Sequence, residues 1–326
     1  MSDETLLPVL DALADGALHS GEAMAQRFGI SRAALAKRID HLRDWGVDVI
    51  AQAGAGYRLA APLERLDAAR IASALPAEAR GVNISVVAHT DSTNTQLLAA
   101  DAAADPQMLF AERQTAGRGR RGRDWVSPFG SNLYGSMAYS FAAWPPRLTA
   151  LPLAIAVAVA RVVESIGLPQ VGIKWPNDLH LDGKKLAGIL IEPRGEAGGS
   201  CRVVVGVGLN LGMSNAQAVG VTQPWTSLSA ALAARAQPVP SRNALAALLA
   251  SELAAALRHF ASHGFAPFAA EWKRRDLLAD QPVRIEAAEV LNGTARGVDA
   301  DGGLIVETIA GRQVVHAGDV SVRAAA

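Results

Sequence analysis

The segment GRGRRGRDW, from Gly117 to Trp125, combines glycines with four arginines. Glycine costs conformational entropy in regular structure and adjacent guanidinium groups repel each other, so neither a helix nor a strand is expected here. Guanidinium groups and mobile backbone amides bind anions such as phosphates and carboxylates. The segment therefore predicts a cationic loop that closes over an anionic ligand. A solvated basic loop has the same composition, so the segment alone does not distinguish a ligand-binding loop from a loop that only faces solvent.

Other polar residues lie at the ends of predicted strands. The segment Asp91-Ser92-Thr93-Asn94 follows an apolar strand, where it either caps the next helix or hydrogen-bonds a neutral polar ring such as a ureido group. Gln114 directly precedes the glycine–arginine loop (Gly117–Trp125). The turn KWPND, 174–178, presents a cation, an amide and a carboxylate, and KKLAGILIE, 184–192, begins a buried strand with lysines. Together these segments predict one site for a polar ring joined to anionic groups.

The first 62 residues are predicted to form a winged helix-turn-helix. Helical spacing of leucines, a helix at 22–28, a helix at 32–44 capped by Ser31 and a hairpin at 47–59 occur in that order. Residues 27–43 carry five basic side chains against one acid, whereas residues 1–60 carry six basic against eight acidic ones. Basic charge is therefore concentrated on the third helix, and we expect Ser31, Arg32, Ala33 and Lys37 to face DNA. A helical protein-interaction module is the alternative.

The remainder is predicted to be α+β. Strands and helices alternate over residues 63–279, and the strands near 186–210 favour antiparallel pairing, so the central sheet should be mixed. Its predicted helices include 94–104, 151–166 and 243–260. Residues 280–326 read as short strands joined by glycine turns, which is typical of a small SH3-like β-barrel.

Composition narrows the class of protein. The chain has 326 residues, zero formal net charge and one cysteine, Cys201, so neither an intrachain disulfide nor a cysteine-based zinc site is possible. The N-terminus lacks the pattern of a signal peptide, and the apolar run 151–160 is shorter than the roughly 20 residues that span a bilayer. We therefore expect a cytoplasmic protein that does not enter the membrane.

GRGRRGRDW, with KWPNDL followed by KKLAGILIE, resembles the biotin protein ligases. The three predicted domains occur in the same order as in the bifunctional members of that family, which also repress transcription. The resemblance covers the whole chain. It implies a class II synthetase-like catalytic domain and a two-step acyl transfer. Biotin and MgATP form biotinyl-5′-adenylate, and a lysine of a biotin carboxyl carrier protein then takes the biotin. No tightly bound prosthetic group is expected.

The resemblance also implies residue roles. Lys185, Arg118 and Asp178 are expected in catalysis, with Asp178 orienting either Mg²⁺ or the incoming lysine, or simply pairing with Lys174. The residues expected around biotin are Ser92, Thr93, Asn94, Gln114, Arg118, Gly119, Arg120 and Lys185. Those expected around ATP or the adenylate are Gly117, Arg120, Arg121, Arg123, Trp125, Lys174, Asn177, Gly188, Asn210, Trp225 and Arg323. Asn210 and Trp225 are assigned to adenine; the alternative for Asn210 is that it caps a strand.

Two other functions fit the same residues. A lipoate–protein ligase would share the central fold, and a catalytically silent, ligand-sensing regulator would only bind DNA. The preferred hypothesis also predicts operator DNA as a partner and homodimerisation promoted by the ligand. The stretch LGMSNAQAVGVTQPW, 211–225, lacks the charged residues expected in an adenylate-binding loop of the repressor relatives.

Overall fold

A computed structural model describes residues 3–195, 199–286 and 290–317, and the backbone of 321–324. The N-terminal part consists of α1 (Asp3–Leu13), α2 (Gly21–Arg27), α3 (Arg32–Asp44) and a hairpin of β1 (Val49–Gln52) and β2 (Gly56–Leu59). This element order confirms the predicted winged helix-turn-helix.

Helix α3 follows directly from its sequence. The Ser31 hydroxyl accepts a hydrogen bond from the Ala34 N–H at 3.1 Å, which caps the first turn. Leu35, Ile39 and Leu42 are fully buried on one stripe. The chain then turns at Gly46, where φ is +84°, a value that favours glycine.

The central part is a mixed seven-stranded sheet flanked by helices. Its strands, in chain order, are β3 (Asn83–Thr90), β4 (Gln107–Gln114), β5 (Leu133–Phe141), β6 (Gly172–Lys174), β7 (Asp178–Leu181), β8 (Lys184–Gly195) and β9 (Cys201–Leu209). Their spatial order is β3-β4-β5-β9-β8-β7-β6. Only β3 and β4 run parallel among these pairs, so the prediction of a mixed sheet with antiparallel strands near 186–210 is confirmed.

The helices of the central part are α4 (Ala68–Ser73), α5 (Thr93–Ala99), α6 (Leu151–Ser165), α7 (Leu228–Ala233), α8 (Arg242–His263) and α9 (Ala266–Arg275). Helices α6 and α8 bury their apolar residues in the main core. Two stretches, Leu148–Ser165 and Arg242–His263, are long and apolar enough to cross a membrane, but more than half of the most apolar part of each is buried inside the protein. Core helices of globular proteins share these properties.

Two features of the central part differ from the sequence prediction. The helix predicted over 94–104 ends at Ala99, because Ala100 adopts an extended conformation with ψ of 160°. An alanine-rich sequence favours helix throughout, so only tertiary packing decides this end. Helices α7 and α9 and strand β7 were not predicted, since six to ten residues, or four, hold too little periodicity to be recognised.

The C-terminal part is a five-stranded antiparallel sheet of β10 (Pro282–Glu286), β11 (Val290–Val298), β12 (Leu304–Thr308), β13 (Gly311–Val315) and β14 (Ser321–Ala324). The strands lie in the order β13-β12-β11-β10-β14. The indole N–H of Trp175, in the KWPND turn, donates to the Gly302 carbonyl at 2.9 Å. The α+β fold class with a small C-terminal β domain is therefore confirmed, and this domain is attached beside a predicted site segment.

The winged helix also contacts segments next to the predicted site. The ring of Trp45 stacks on Phe129 with 5.3 Å between centroids, and meets His89 edge-on at 4.7 Å. The Phe129 N–H donates to the Trp45 carbonyl at 3.0 Å. Phe129 follows the glycine–arginine loop and His89 precedes Asp91, so two site segments are held from the N-terminal side.

Candidate functional site

A cluster of buried polar side chains, the predicted ring-binding pocket, lies where helix α5 begins. Ser92 caps this helix, and Ser92, Thr93 and Asn94 are each 3% exposed. The backbone N–H and the hydroxyl of Thr93 lie 3.0 and 3.1 Å from the side-chain oxygen of Gln114. The predicted helix cap at Ser92 is therefore confirmed, whereas contact of Thr93, Asn94 and Gln114 with a polar ring stays a prediction.

Two pocket residues escaped the sequence analysis. Ser136 on β5 is fully buried, with its hydroxyl 2.6 Å from the Thr93 hydroxyl and 2.5 Å from the Asn94 amide oxygen. Glu192 on β8 accepts a hydrogen bond from the Asn94 amide at 2.8 Å. A serine on an apolar strand carries no signal by itself. Glu192 ends the KKLAGILIE segment, where an acid after an apolar run was a usable signal.

The glycine–arginine loop is compact. The Gly119 N–H donates to the Arg123 carbonyl at 2.7 Å, and the Trp125 N–H donates to the Gly117 carbonyl at 2.8 Å. A side chain at Gly117 would place its Cβ 2.5 Å from the Trp125 carbonyl oxygen, so glycine is required there. The loop thus closes on itself through its backbone, and its glycines permit that approach.

Trp125 lies against the sheet beneath the loop. A Cβ added at Gly188 or Gly208 would meet its ring at 2.8 or 2.3 Å, so two glycines on adjacent strands form a flat seat for the indole. The Lys185 ammonium lies 5.4 Å from the ring centroid, within range of a cation–π interaction. The indole nitrogen of Trp125 is buried and has no hydrogen-bond partner among the described residues. Trp125 therefore joins the loop to the strand that carries Lys185.

Lys185 forms an ion pair with Asp178 at 2.9 Å, and their side chains are 13% and 23% exposed. The alternative pairing of Asp178 with Lys174 is wrong. Lys174 and Asp178 are backbone partners in the β6–β7 hairpin, but the Asp178 carboxylate meets the lysine on β8 instead. Burial lowers the pKa of the neighbouring His180 below its ordinary value, so this imidazole is neutral at pH 7. Lysines therefore supply the positive charge here.

The four loop arginines divide into two groups. Arg118 pairs with Glu192 at 2.9 Å. Arg120 donates to the Asn177 side-chain oxygen at 3.4 Å and to the Ala317 carbonyl. Arg121 and Arg123 are exposed and form no ion pair with any described residue. Two arginines thus fasten the loop to β8, to the KWPND turn and to the C-terminal domain, and two remain available to a ligand.

The residues assigned to adenine lie beside Lys185. The Asn210 amide donates to the Thr226 carbonyl at 3.1 Å. Residues Pro224 and Thr226 exchange backbone hydrogen bonds with Lys185 at 3.0 and 2.9 Å, which brings the partly exposed Trp225 next to that lysine. Asn210 thus holds the segment that carries Trp225, and contact of either residue with adenine stays a prediction.

Three further predicted residues lie on β6, in the KWPND turn and in the C-terminal sheet. Lys174 is half-buried on β6, and the Asn177 amide donates to the Ile189 carbonyl at 2.7 Å, which ties the KWPND turn to β8. Arg323 pairs through its backbone with Arg284 in the C-terminal sheet. The side chain of Arg323 lies outside the described residues, so its predicted reach toward phosphates is untested.

The predicted DNA-binding residues share one face of α3. Arg32, Ala33 and Lys37 are exposed, as is the capping Ser31. Arg43 differs, because it pairs with Asp40 at 2.8 Å and also donates to the Val49 carbonyl. The cations near the start of the helix are therefore free to meet phosphates, while one near its end is used inside the fold.

No group of three or more metal-ligating side chains occurs among the described residues. Asp178 could therefore contribute only a single carboxylate to a metal ion. Magnesium is compatible with such a site when substrate phosphates and water complete its coordination.

Three family models match the chain. The biotin/lipoate A/B protein ligase family matches residues 86–210, the biotin protein ligase C terminal domain matches 279–323, and an HTH domain matches 9–58. The chain is 40% identical over 328 residues to the bifunctional ligase/repressor BirA of Salmonella typhimurium, with 100% of both sequences covered. It is 39% identical to the bifunctional ligase/repressor BirA of Escherichia coli K12, over 100% of this chain and 99% of the relative.

A solved structure is also similar. The biotin protein ligase of Aquifex aeolicus in complex with biotin and ATP superposes with a TM-score of 0.61 and 25% identity, covering 74% of this chain and 99% of that one.

Proposed function

Since the chain belongs to the family of bifunctional biotin ligase/repressors, we propose that it joins biotin to a protein lysine using ATP and represses transcription when loaded with biotinyl-5′-adenylate. One observation carries the ligase assignment. The glycine–arginine loop, through Trp125, lies directly on the strand that presents Lys185, and Lys185 is paired with Asp178 of the KWPND turn. The motifs therefore converge on one place.

The first step brings two anions together. The biotin carboxylate attacks the α-phosphorus of ATP, a bond forms between carboxylate oxygen and phosphorus, and pyrophosphate leaves. Negative charge develops around phosphorus, and cations fixed in advance stabilise it. Lys185 is held by Asp178 and Trp125, so it acts as the principal electrostatic catalyst, and the exposed Arg121 and Arg123 face the phosphates.

The buried pocket receives the ureido ring of biotin. Thr93, Asn94, Gln114 and Ser136 offer hydroxyl and amide groups in a place from which water is largely excluded. These groups hydrogen-bond one another, and their remaining lone pairs and the second Gln114 amide N–H can pair with a ring that carries N–H donors and a carbonyl acceptor, which the disulfide ring of lipoate lacks. This favours biotin over lipoate as the acid.

The second step requires that the adenylate survive until an amine arrives. The lysine amine of a biotin carboxyl carrier protein attacks the acyl carbon, AMP leaves, and an amide forms. The loop shields the mixed anhydride from water, with Trp125 as its covering side chain. Trp225 and Asn210 border the adenine, and Asp178 orients Mg²⁺ or the incoming lysine. Mg²⁺ bound with the nucleotide would neutralise phosphate charge.

Repression uses the winged helix. Arg32 and Lys37 meet DNA phosphates, and Ala33 permits close approach to the groove. Operators with two half-sites need a dimer, so adenylate promotes homodimerisation through the central sheet. Sedimentation velocity with and without biotin plus MgATP tests this, and an unchanged monomer at micromolar concentration would refute it. We also propose domain limits of 1–62, 63–279 and 280–326, and a cytoplasmic location.

The decisive experiment uses the full-length protein, MgATP and a purified biotin carboxyl carrier domain, with biotin or lipoate supplied separately. Mass spectrometry should show one added biotin on the carrier and no added lipoate. Labelling by lipoate alone would overturn the choice of acid. If the protein releases no pyrophosphate with biotin, the result would favour the alternative hypothesis of a catalytically silent regulator that only binds DNA.

A further inference from the structure

Glu192 lies where the biotin pocket meets the glycine–arginine loop. One of its carboxylate oxygens accepts two hydrogen bonds, from the Asn94 amide nitrogen at 2.8 Å and from the Arg118 guanidinium at 2.9 Å. The Glu192 side chain is 25% exposed and that of Arg118 is 43% exposed, so the junction lies at the rim of the pocket. A single oxygen atom therefore links the pocket to the loop.

This carboxylate determines which way the Asn94 amide points. The amide nitrogen faces two acceptors, Glu192 and the Leu190 carbonyl at 3.3 Å, and neither can donate a proton. The amide oxygen must then face Ser136, whose hydroxyl lies 2.5 Å away and donates its proton to it. The orientation of an amide is assigned from its hydrogen-bond partners. Here the partners of the amide nitrogen and those of the amide oxygen indicate the same orientation.

The same order continues through the pocket. Because the Ser136 hydroxyl donates its only proton to Asn94, the Ser136 oxygen can only accept a hydrogen bond from the Thr93 hydroxyl, which lies 2.6 Å away. The Thr93 hydroxyl also lies 3.1 Å from the Gln114 oxygen, but its one proton goes to the shorter contact. The Gln114 oxygen is satisfied by the Thr93 backbone N–H at 3.0 Å. Donors and acceptors therefore run in one direction and end on Glu192.

We propose that Glu192 is a positioning residue for the ligand's polar ring, because it sets the donor order of Thr93, Ser136 and Asn94 through the Asn94 amide. This inference rests on the proposed function, since the ring is taken to be that of biotin. Glu192 itself touches no substrate. Its effect should therefore appear in the affinity for biotin rather than in the chemical step.

The substitution Glu192→Gln isolates this role with little change of shape. A glutamine oxygen in the same place can still accept from both Asn94 and Arg118, but the substitution removes the charge that attracts Arg118 and adds an amide that, when rotated, presents N–H groups to Asn94. The Asn94 amide then gains a competing rotated state that reverses the order of Ser136 and Thr93, and networks of this kind lose affinity when one member is mismatched.

The test compares wild type, Glu192→Gln, Glu192→Asp and the control Glu252→Gln on α8, where the Glu252 carboxylate lies 3.9 Å from Arg161 of α6. Pyrophosphate release is followed against biotin concentration at saturating MgATP. We expect KM for biotin to rise about tenfold in Glu192→Gln, a change of about 1.4 kcal/mol, with kcat within threefold of wild type. Glu192→Asp keeps the charge, so its KM for biotin should lie between those of wild type and Glu192→Gln. Glu252→Gln should have the KM of wild type.

A second comparison separates positioning from damage to the fold. In an Asn94→Ala background, Glu192→Gln should raise KM for biotin by less than threefold, because the amide through which it acts is gone. A full tenfold rise there, or an unchanged KM in the single variant, would overturn the role of Glu192 while leaving the ligase intact. Wild type that releases no pyrophosphate with biotin would instead overturn the proposed function, and this inference with it.

Discussion

Helix α3 and the glycine–arginine loop are both rich in basic residues, but they are held in place in opposite ways. Helix α3 is stabilised by its own backbone hydrogen bonds over thirteen residues, by the Ser31 cap and by its buried apolar stripe. Its basic side chains Arg32 and Lys37 therefore take no part in holding it and extend into solvent. In the loop the side chains help to hold the backbone, with Arg118 bonded to Glu192 and Arg120 to Asn177 and the C-terminal domain.

The difference follows from what each segment has to meet. DNA phosphates lie outside the molecule, so a rigid helix with free side chains suits them. An activated nucleotide has to be admitted and then covered, so the covering segment needs fastenings that can open. Ion pairs at a partly exposed rim are weak enough for that, at about 0–1 kcal/mol each.

The largest effect is expected beneath the loop. Lys185→Ala should lower the rate of biotin-dependent pyrophosphate release at least tenfold, about 1.4 kcal/mol or more, because the fixed cation at the phosphates is lost. Lys184→Ala, which removes the exposed neighbouring lysine, is the matched control and should stay near wild type. A Lys185→Ala protein with wild-type turnover would remove this residue from the mechanism.

A smaller effect is expected where the loop is seated. Gly208→Ala places a methyl group 2.3 Å from the Trp125 ring, so the indole has to move at a cost of about 1 kcal/mol or more, roughly a fivefold loss of ligation rate. Gly212→Ala is matched, since its Cβ would meet atoms only at 3.5 Å and beyond. Equal rates in the two variants would show that the seating of Trp125 does not matter to ligation.

On α3 the effect should be smaller still and confined to DNA. Lys37→Ala should weaken DNA binding a few-fold and reduce the slope of log affinity against log salt by about 0.9, the loss of one phosphate contact. Biotinylation of the carrier should not change. Lys273→Ala, another exposed lysine on α9, serves as the control. Loss of both activities in Lys37→Ala would indicate misfolding rather than a DNA contact.

The mildest prediction concerns dynamics. Hydrogen exchange at the amides of the glycine–arginine loop should slow when biotin and MgATP are added, because the loop closes over the adenylate. Exchange within α3 should be unaltered, since its hydrogen bonds do not depend on ligand. Slowing in α3 with none in the loop would reverse the comparison between the two segments.

Much of the fold could be predicted because its signals are local. Helix α3 was predicted over Arg32–Asp44, the limits that the structure has, since a capping serine and a glycine turn border a clear apolar stripe. Helix α5 was predicted too long, because its alanines favour helix well beyond the point where packing ends it.

The site divided in a similar way. Motif segments pointed to Ser92, Gln114 and Lys185, but the partners that orient them lie far away along the chain. Ser136 and Glu192 enter the pocket only because β5, β9 and β8 are adjacent in the sheet. For the same reason Asp178 pairs with Lys185 and not with Lys174, the alternative that the sequence suggested. Strand β7 is paired with β8 as well as with β6, so a lysine on either strand is within reach.

The order of residues alone determined the chemistry available to this protein: a cationic loop, a ring-binding segment, lysines at a strand entry and a basic helix. These depend on side-chain type and short-range spacing, which a sequence contains directly. The folded chain decided which groups meet, namely Lys185 with Asp178, Trp125 with two glycines, and Glu192 with both pocket and loop. Such meetings depend on sheet register and strand order, where contacts between residues distant in sequence are chosen by packing of the whole molecule.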